Sequence, residues 1–292
     1  MKADVLDGPV GQLAVAELVL GERAMALDYA LSALADPEAF RRRLADTAHS
    51  RFEELRDLVL GDPLRVVGVF GKFVESVHHG YAPQGHDRFG VLASCTGILR
   101  PVARLLSEAP ELSWWWSPVG SVQRVTESGE GRRVDVAQLN DEAAMNWWTA
   151  PMTSRTLQTT RGPILGAPSV SAVMAEDLAT ARPDTWEYAP PLGDVVELSH
   201  PRDWAGLVAQ FPMRVAPAVA DWSQITGRPG PWYQPDWARV AECYSGAHLS
   251  VAAYLATAYR AIEFRDGWTV LSGWNPDATV WFDTDWPPKS TT

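Results

Sequence analysis

Two pairs of acidic and imidazole side chains have the residue types needed for proton transfer. Glu197 and His200 stand three residues apart, and Asp236 precedes His248 on the same aromatic stretch. A carboxylate and an imidazole held in contact can serve as general base and general acid. We therefore predict that His248, or else His200, moves a proton while Asp236 or Glu197 orients the ring. The alternative is that a turn separates Glu197 from His200, Ser199 caps a helix, and His200 lies on the surface.

A short polar cluster has the chemistry of an anion site. Thr159, Thr160 and Arg161 precede Gly162 and an apolar stretch. Hydroxyl groups and a planar guanidinium at the start of a strand suit a carboxylate or a phosphate. We predict that Arg161 and Thr160 bind substrate. The alternative is an ordinary structural pair between Arg161 and one of the many acidic residues.

Aromatic residues are concentrated beside these polar groups. All fourteen tryptophans lie between Trp114 and Trp286. Tryptophan and tyrosine next to a few polar groups are typical of a ligand pocket, and a buried indole N–H needs a partner. The predicted binding residues in this stretch are Trp237, Tyr244, Trp274 and Asn275. The alternative is that the tryptophans fill the core, and that Asp236 and Asp277 cap turns.

Histidines are also clustered where a metal ion would find ligands. His78, His79 and His86 lie close together, followed by Asp87. Imidazole and carboxylate form a ligand set for first-row metals, but adjacent residues on a helix point about 100° apart. We therefore predict no metal site and keep the three histidines only as candidates. The sequence does not identify a cofactor.

Three motifs near the C-terminal end resemble a known family. They are Pro235-Asp236-Trp237, His248-Leu249-Ser250 followed by Tyr254-Leu255, and Gly273-Trp274-Asn275-Pro276-Asp277 followed by Trp281. In these motifs the chain resembles a family of uncharacterised actinobacterial proteins, with a looser match back to about Trp186. The resemblance implies one intact folded unit in this region. It implies no reaction type.

Charge and absent motifs exclude several classes of protein. The net charge is −11, so most of the surface should repel nucleic acids and anionic lipids. We find no phosphate-binding Gly-Lys-Thr loop, no dinucleotide-binding glycine motif, and none of the serine-hydrolase, zinc-protease or paired-cysteine motifs. No run of about 18 apolar residues and no signal-peptide pattern is present. We predict a soluble, cytoplasmic protein with no nucleic-acid or membrane partner.

The tryptophan distribution and the helix signals predict an α+β fold. A helical bundle or cap (residues 1–110) is followed by a Trp-rich mixed α/β-sheet domain (111–286) and a loose tail (287–292). Predicted helices cover 12–33, 36–61, a stretch after Asp62-Pro63, 89–106, and segments beginning near Pro201, Pro235 and Leu249. Predicted strands cover 121–126, 132–136, 163–174, 195–198, 268–273 and 279–282.

These features support two functions of different classes. The first is an enzyme acting on a polar or anionic small molecule in a Trp-lined cleft, by group transfer, elimination or hydrolysis. Actinobacterial specialised metabolism is its natural setting by analogy, and a transferase using a dinucleotide such as NAD is one variant. The second is a non-catalytic immunity, carrier or regulatory protein that binds a partner through exposed Trp114, Trp115 and Trp116. Convergence of Arg161, His248 and Asp236 around a pocket would favour the enzyme.

Overall fold

The computed structural model confirms the predicted α+β fold class. It describes residues 2–21, 35–77, 90–128, 148–151, 157–163, 187–188, 194–215 and 220–282. Within these ranges, the N-terminal part is helical, and strands and short helices follow. None of the described helices is long and apolar enough to cross a membrane.

The helices and strands have the following bounds. The 3₁₀ helices are η1 (Val5–Asp7) and η2 (Pro110–Trp116). The α-helices are α1 (Pro9–Leu20), α2 (Pro37–Ser50), α3 (Phe52–Gly61), α4 (Pro63–Val77), α5 (Thr96–Glu108), α6 (Pro201–Gln210), α7 (Ala220–Thr226), α8 (Trp237–Ala241) and α9 (Val251–Thr257). The strands are β1 (Gln123–Ser128), β2 (Leu157–Arg161), β3 (Glu187–Tyr188), β4 (Val195–Leu198), β5 (Pro212–Val215), β6 (Trp232–Pro235), β7 (Gly246–Leu249), β8 (Ile262–Phe264), β9 (Gly267–Thr269) and β10 (Ala278–Trp281).

Local signals place most helix starts correctly. Asp36 caps α2 by accepting from the backbone N–H of Ala39, with Pro37 at the first position, as its residue type predicts. The single helix predicted for 36–61 is divided into α2 and α3 at Arg51, whose φ and ψ are −100° and 2°. The Arg51 guanidinium donates to the carbonyl oxygen of Val19 in α1. A tertiary contact therefore fixes the corner where the sequence shows no break.

The strands form two mixed sheets. The larger sheet has the order β3-β1-β2-β10-β7-β4, in which β4 and β7 are parallel and the other pairs are antiparallel. The smaller sheet has the order β5-β6-β9-β8, with β6 and β9 parallel. The predicted strand 195–198 is confirmed as β4. The predicted strands 132–136 and 163–174 lie outside the described residues, apart from Pro163.

Other strand and helix boundaries differ from the prediction. Thr159, Thr160 and Arg161 lie within β2 itself. The helix predicted from Leu249 begins at Val251, because Leu249 ends β7 and Ser250 caps α9. The predicted strands 268–273 and 279–282 correspond to β9 and β10, which belong to different sheets and form no hairpin.

The hydrophobic core extends from the N-terminal helices to the sheets. Helix α1 packs against α9, and apolar residues from both ends of the chain form one continuous cluster. Gly11 lies so close to the carbonyl oxygens of Val5 and Leu255 that a larger residue would not fit. The two parts of the chain therefore share a core. The domain boundary at residue 110 stays a prediction.

The tryptophan triplet lies at the junction between the helices and the larger sheet. Trp115 is fully buried, with its ring 4.9 Å from Phe70 of α4. Trp116 donates to the carbonyl oxygen of Ala3 at 2.9 Å, and both Trp114 and Trp116 are half-buried. The exposed tryptophan face predicted for partner binding is therefore not formed by these residues, because they pack the helical part onto the sheet.

Two glycines allow a matched test of backbone conformation. Gly273 has a φ of +67°, and an added Cβ would collide with the indole of Trp148. We expect Gly273→Ala to lower the free energy of unfolding by at least about 1–2 kcal/mol, the cost of a left-handed backbone for an L-residue. Gly68 lies inside α4 with open space around it, so Gly68→Ala should raise the same quantity by about 0.5–1 kcal/mol. Urea denaturation measures the free energy of unfolding of both variants. A change of the same sign in the two variants would contradict this account.

Candidate functional site

One face of the larger sheet carries a row of polar side chains. Across the parallel pair, Glu197 in β4 lies beside His248 in β7. Across the antiparallel pairs, His248 faces Thr279 in β10, and Thr279 faces Thr159 in β2. Side chains at paired positions lie on the same face of a sheet. Strand register therefore gathers residues that are far apart in the sequence.

His248 lies between two carboxylates. Its Nδ1 is 2.7 Å from Oε2 of Glu197, and its Nε2 is 3.4 Å from Oδ1 of Asp277. The ring is 1% exposed. A buried imidazole with an acidic partner at each nitrogen is suited to the protonated form, in which both nitrogens donate.

Arg161 neutralises the buried carboxylate. Its Nε donates to both Asp277 oxygens at 2.8 Å, and its second nitrogen, Nη2, lies 2.8 Å from Oδ1. Thr160 Oγ1 donates to the backbone carbonyl oxygen of Asp277 at 3.0 Å. This arrangement corresponds to the alternative in which Arg161 pairs with an acid. We name the four charged residues Glu197, His248, Asp277 and Arg161 the charged network.

The turn before β10 places Asp277 in this network. The N–H of Ala278 donates to the carbonyl oxygen of Asn275 at 3.3 Å, with Pro276 and Asp277 as the central residues. The φ of Asp277 is +58°, which fits the third position of a type II turn, where glycine is usual. Aspartate tolerates this left-handed conformation better than most residues, so the turn can place a carboxylate here.

A short segment, residues 114–119, covers the charged network. The N–H of Val119 donates to Glu197 Oε1 at 2.8 Å, and Arg161 donates to the carbonyl oxygen of Pro118 at 3.2 Å. The Trp114 ring lies 5.6 Å from the guanidinium carbon of Arg161. The Glu197 side chain is 29% exposed and that of Arg161 is 14% exposed. Of the four members, Glu197 is therefore the most accessible to solvent.

The charges shift two of the pKa values in opposite directions. Burial alone would lower the pKa of His248, but its hydrogen bonds to Asp277 and Glu197 and their negative charges raise it overall. Burial would raise the pKa of Asp277, but the hydrogen bond to His248 and the charge of Arg161 hold it below its ordinary value. With His248 protonated, two positive and two negative charges balance.

Two other predicted site residues cap helices. Asp236 caps α8 by accepting from the N–H of Arg239, and His200 Nδ1 caps α6 by accepting from the N–H of Arg202. The helix cap at this point is therefore His200 and not Ser199. The acids that contact His248 are Asp277 and Glu197. This finding corrects the orienting role predicted for Asp236.

The predicted aromatic binding residues lie in the core or at its border. Trp237 and Trp274 are fully buried, with ring centroids 5.7 Å apart, and the Trp237 indole donates to the carbonyl oxygen of Thr149. Tyr244 packs edge-on against Phe211. Asn275 is 8% exposed and opens the turn that holds Asp277. Their predicted contact with substrate stays a prediction.

The histidine cluster predicted as a candidate metal site is not described. His78, His79 and His86 lie outside the described residues. Among the residues that are described, no group of three or more histidine, cysteine or acidic side chains is placed to hold a metal ion.

Asp277 is the network member that the sequence did not identify. It occurs in the Gly-Trp-Asn-Pro-Asp motif, where a turn cap was the alternative reading. The useful signal is an aspartate in place of glycine after Asn-Pro, but only the turn's φ value makes it visible.

Comparisons with protein-family models, curated proteins and solved structures gave no match. The resemblance to an actinobacterial family therefore stays a prediction.

Proposed function

We propose that the protein is an enzyme that moves a proton to or from a small polar substrate, with Glu197 as the catalytic residue. The observation that carries the proposal is the position of Glu197, partly exposed and hydrogen-bonded at 2.7 Å to a fully buried imidazole. A carboxylate that is partly open to solvent and oriented by an imidazole can act as a general base.

The network assigns a separate task to each residue. Val119 N–H and His248 Nδ1 bind one oxygen each of the Glu197 carboxylate, which fixes its orientation and leaves lone pairs for a substrate O–H or N–H. Asp277 and Arg161 hold the far side of the imidazole and balance its charge. Glu197 accepts the substrate proton as a general base and returns it as a general acid in the reverse step.

The geometry favours a neutral polar substrate over an anionic one. Asp277 occupies the Nε and Nη2 groups of Arg161, the residue predicted to hold an anion. Elimination, group transfer and hydrolysis each contain a proton transfer of this kind. Partner binding through Trp114, Trp115 and Trp116 has less support, because none of the three side chains is exposed.

Substrate consumption by matched variants tests the proposal. Wild-type protein, Glu197→Gln and Glu263→Gln are incubated with a fractionated extract of small metabolites, with and without added NAD, and followed by mass spectrometry. Glu263 is an exposed acid of β8 in the smaller sheet and serves as the control. We expect wild type and Glu263→Gln to consume the same compound, and Glu197→Gln to be slower by about 10²–10⁴-fold. Equal consumption by Glu197→Gln would contradict the assigned role.

A further inference from the structure

The hydroxyl of Thr279 is a buried polar group next to the charged network. Thr279 is fully buried, and its Oγ1 has no hydrogen-bond partner in the protein that the structure describes. Leaving a buried hydroxyl without a partner costs about 1–3 kcal/mol, and such groups are usually bonded to protein or to ordered water. The position therefore calls for a partner beyond the protein atoms that the structure describes.

The strand register places this hydroxyl beside the Nε2 side of His248. Thr279 pairs with His248 across β10 and β7, and both side chains lie on the polar face. The ring directs Nε2 toward the start of β10, since Nε2 lies 3.4 Å from Oδ1 of Asp277, which comes two residues before Thr279. The register therefore places the Thr279 side chain next to the His248 ring on this face.

Neighbouring groups leave part of the hydrogen-bonding capacity of both atoms unfilled. The Thr159 hydroxyl donates its one proton to Gln123 Oε1 at 3.0 Å and accepts from the Trp281 indole at 2.8 Å. The 3.4 Å from His248 Nε2 to Asp277 exceeds the usual range of about 2.7–3.2 Å for an N–H···O bond. Asp277 faces Arg161 more closely, at 2.8 Å. Nε2–H thus has only a loose acceptor.

We propose that one water molecule binds between Thr279 Oγ1 and His248 Nε2, and that Thr279 is a positioning residue for the imidazole. The water accepts from Nε2–H and bonds to the threonine hydroxyl, and the Asp277 carboxylate supplies a third partner. Three partners are typical of buried water. This water gives the His248 proton a second acceptor on the side of the ring that faces away from Glu197.

The test compares two buried threonines by nuclear magnetic resonance. Thr279→Val replaces the hydroxyl with a methyl group of similar size. Thr257→Val is the control, since Thr257 ends α9 with a buried hydroxyl that also has no partner among the described residues, outside the charged network. We expect a cross-peak between a long-lived water and the His248 ring in wild type and in Thr257→Val, and its loss in Thr279→Val. The titration midpoint of His248 should fall in Thr279→Val alone, because an acceptor for the protonated ring is removed.

The opposite results would overturn the proposal. They are a missing water cross-peak in wild type, or a Thr279→Val protein that keeps the cross-peak and the wild-type titration of His248. If Thr279→Val does not fold, a high-resolution crystal structure of wild type replaces it. An ordered oxygen within about 3.2 Å of both atoms then supports the site, and its absence overturns it. None of these measurements needs a substrate, so the outcome is independent of the proposed catalytic role.

Discussion

Replacing Arg161 with methionine should lower the free energy of unfolding by about 3–5 kcal/mol, the usual effect of removing one partner from a buried ion pair. Asp277 is 1% exposed and His248 is equally buried. Without the guanidinium, the Asp277 charge loses its three short contacts and stays buried. Urea denaturation near neutral pH measures the loss.

An exposed ion pair provides the matched control. Arg56 lies 2.6 Å from Glu53 on α3, with both side chains largely exposed. Arg56→Met should change the free energy of unfolding by no more than about 1 kcal/mol. In the double variant Arg161→Met, Asp277→Asn the loss should be smaller than the sum of the two single losses, with a coupling of about 0.5–3 kcal/mol. Similar losses for Arg161→Met and Arg56→Met would show that the buried pair does not stabilise the fold.

The stability contributed by His248 should decrease as the pH rises. Because its pKa is raised in the folded state, protonated His248 stabilises the fold fully below its unfolded pKa of about 6.5, and this contribution is lost as the pH rises through the folded pKa. Asp277 has a lowered pKa, so its contribution is present above about pH 4 and is lost as the pH falls through the folded value. The charged network should therefore stabilise the fold most between about pH 4 and about pH 6.5.

His248→Gln isolates the histidine contribution. The variant cannot titrate at this position. Its free energy of unfolding should therefore fall furthest below that of wild type at a pH under about 6.5. At higher pH the difference between the two proteins should narrow, by at most about 1.4 kcal/mol per pH unit. His200→Gln, at the cap of α6, is the control and should leave this pH dependence in place. Denaturation curves between pH 5 and pH 9 measure the difference. A deficit that stays constant across this range would contradict a raised pKa.

Short-range rules account for the elements that were predicted correctly. Asp36 and Asp236 cap helices because a short acidic side chain reaches the free N–H groups of the first turn. Val195 and Val196 indicate β4 because β-branched side chains favour an extended backbone. The apolar spacing of 63–77 forms α4 although valine and glycine weaken helix propensity, since burial of one face outweighs propensity.

The site was predicted in part, because residue type is visible in the sequence and contact is not. Glu197, His248, Arg161 and Thr160 were candidates on chemical grounds, and the structure brings them together through β4, β7 and β2. Asp236 has the same chemistry, but its carboxylate caps α8. Asp277 was missed because its role depends on the conformation of one turn.

The sequence by itself therefore determined the helix caps, the α+β class and the kinds of side chain available for proton transfer, since these depend on neighbours along the chain. Only the tertiary structure decided which acid contacts His248, which face of the sheet is polar, and that the tryptophan triplet packs at the junction between helices and sheet. The physical reason is strand register. A shift by one residue would turn His248 to the opposite face of the sheet, and its pairing partners, Glu197 and Thr279, lie far from it along the chain.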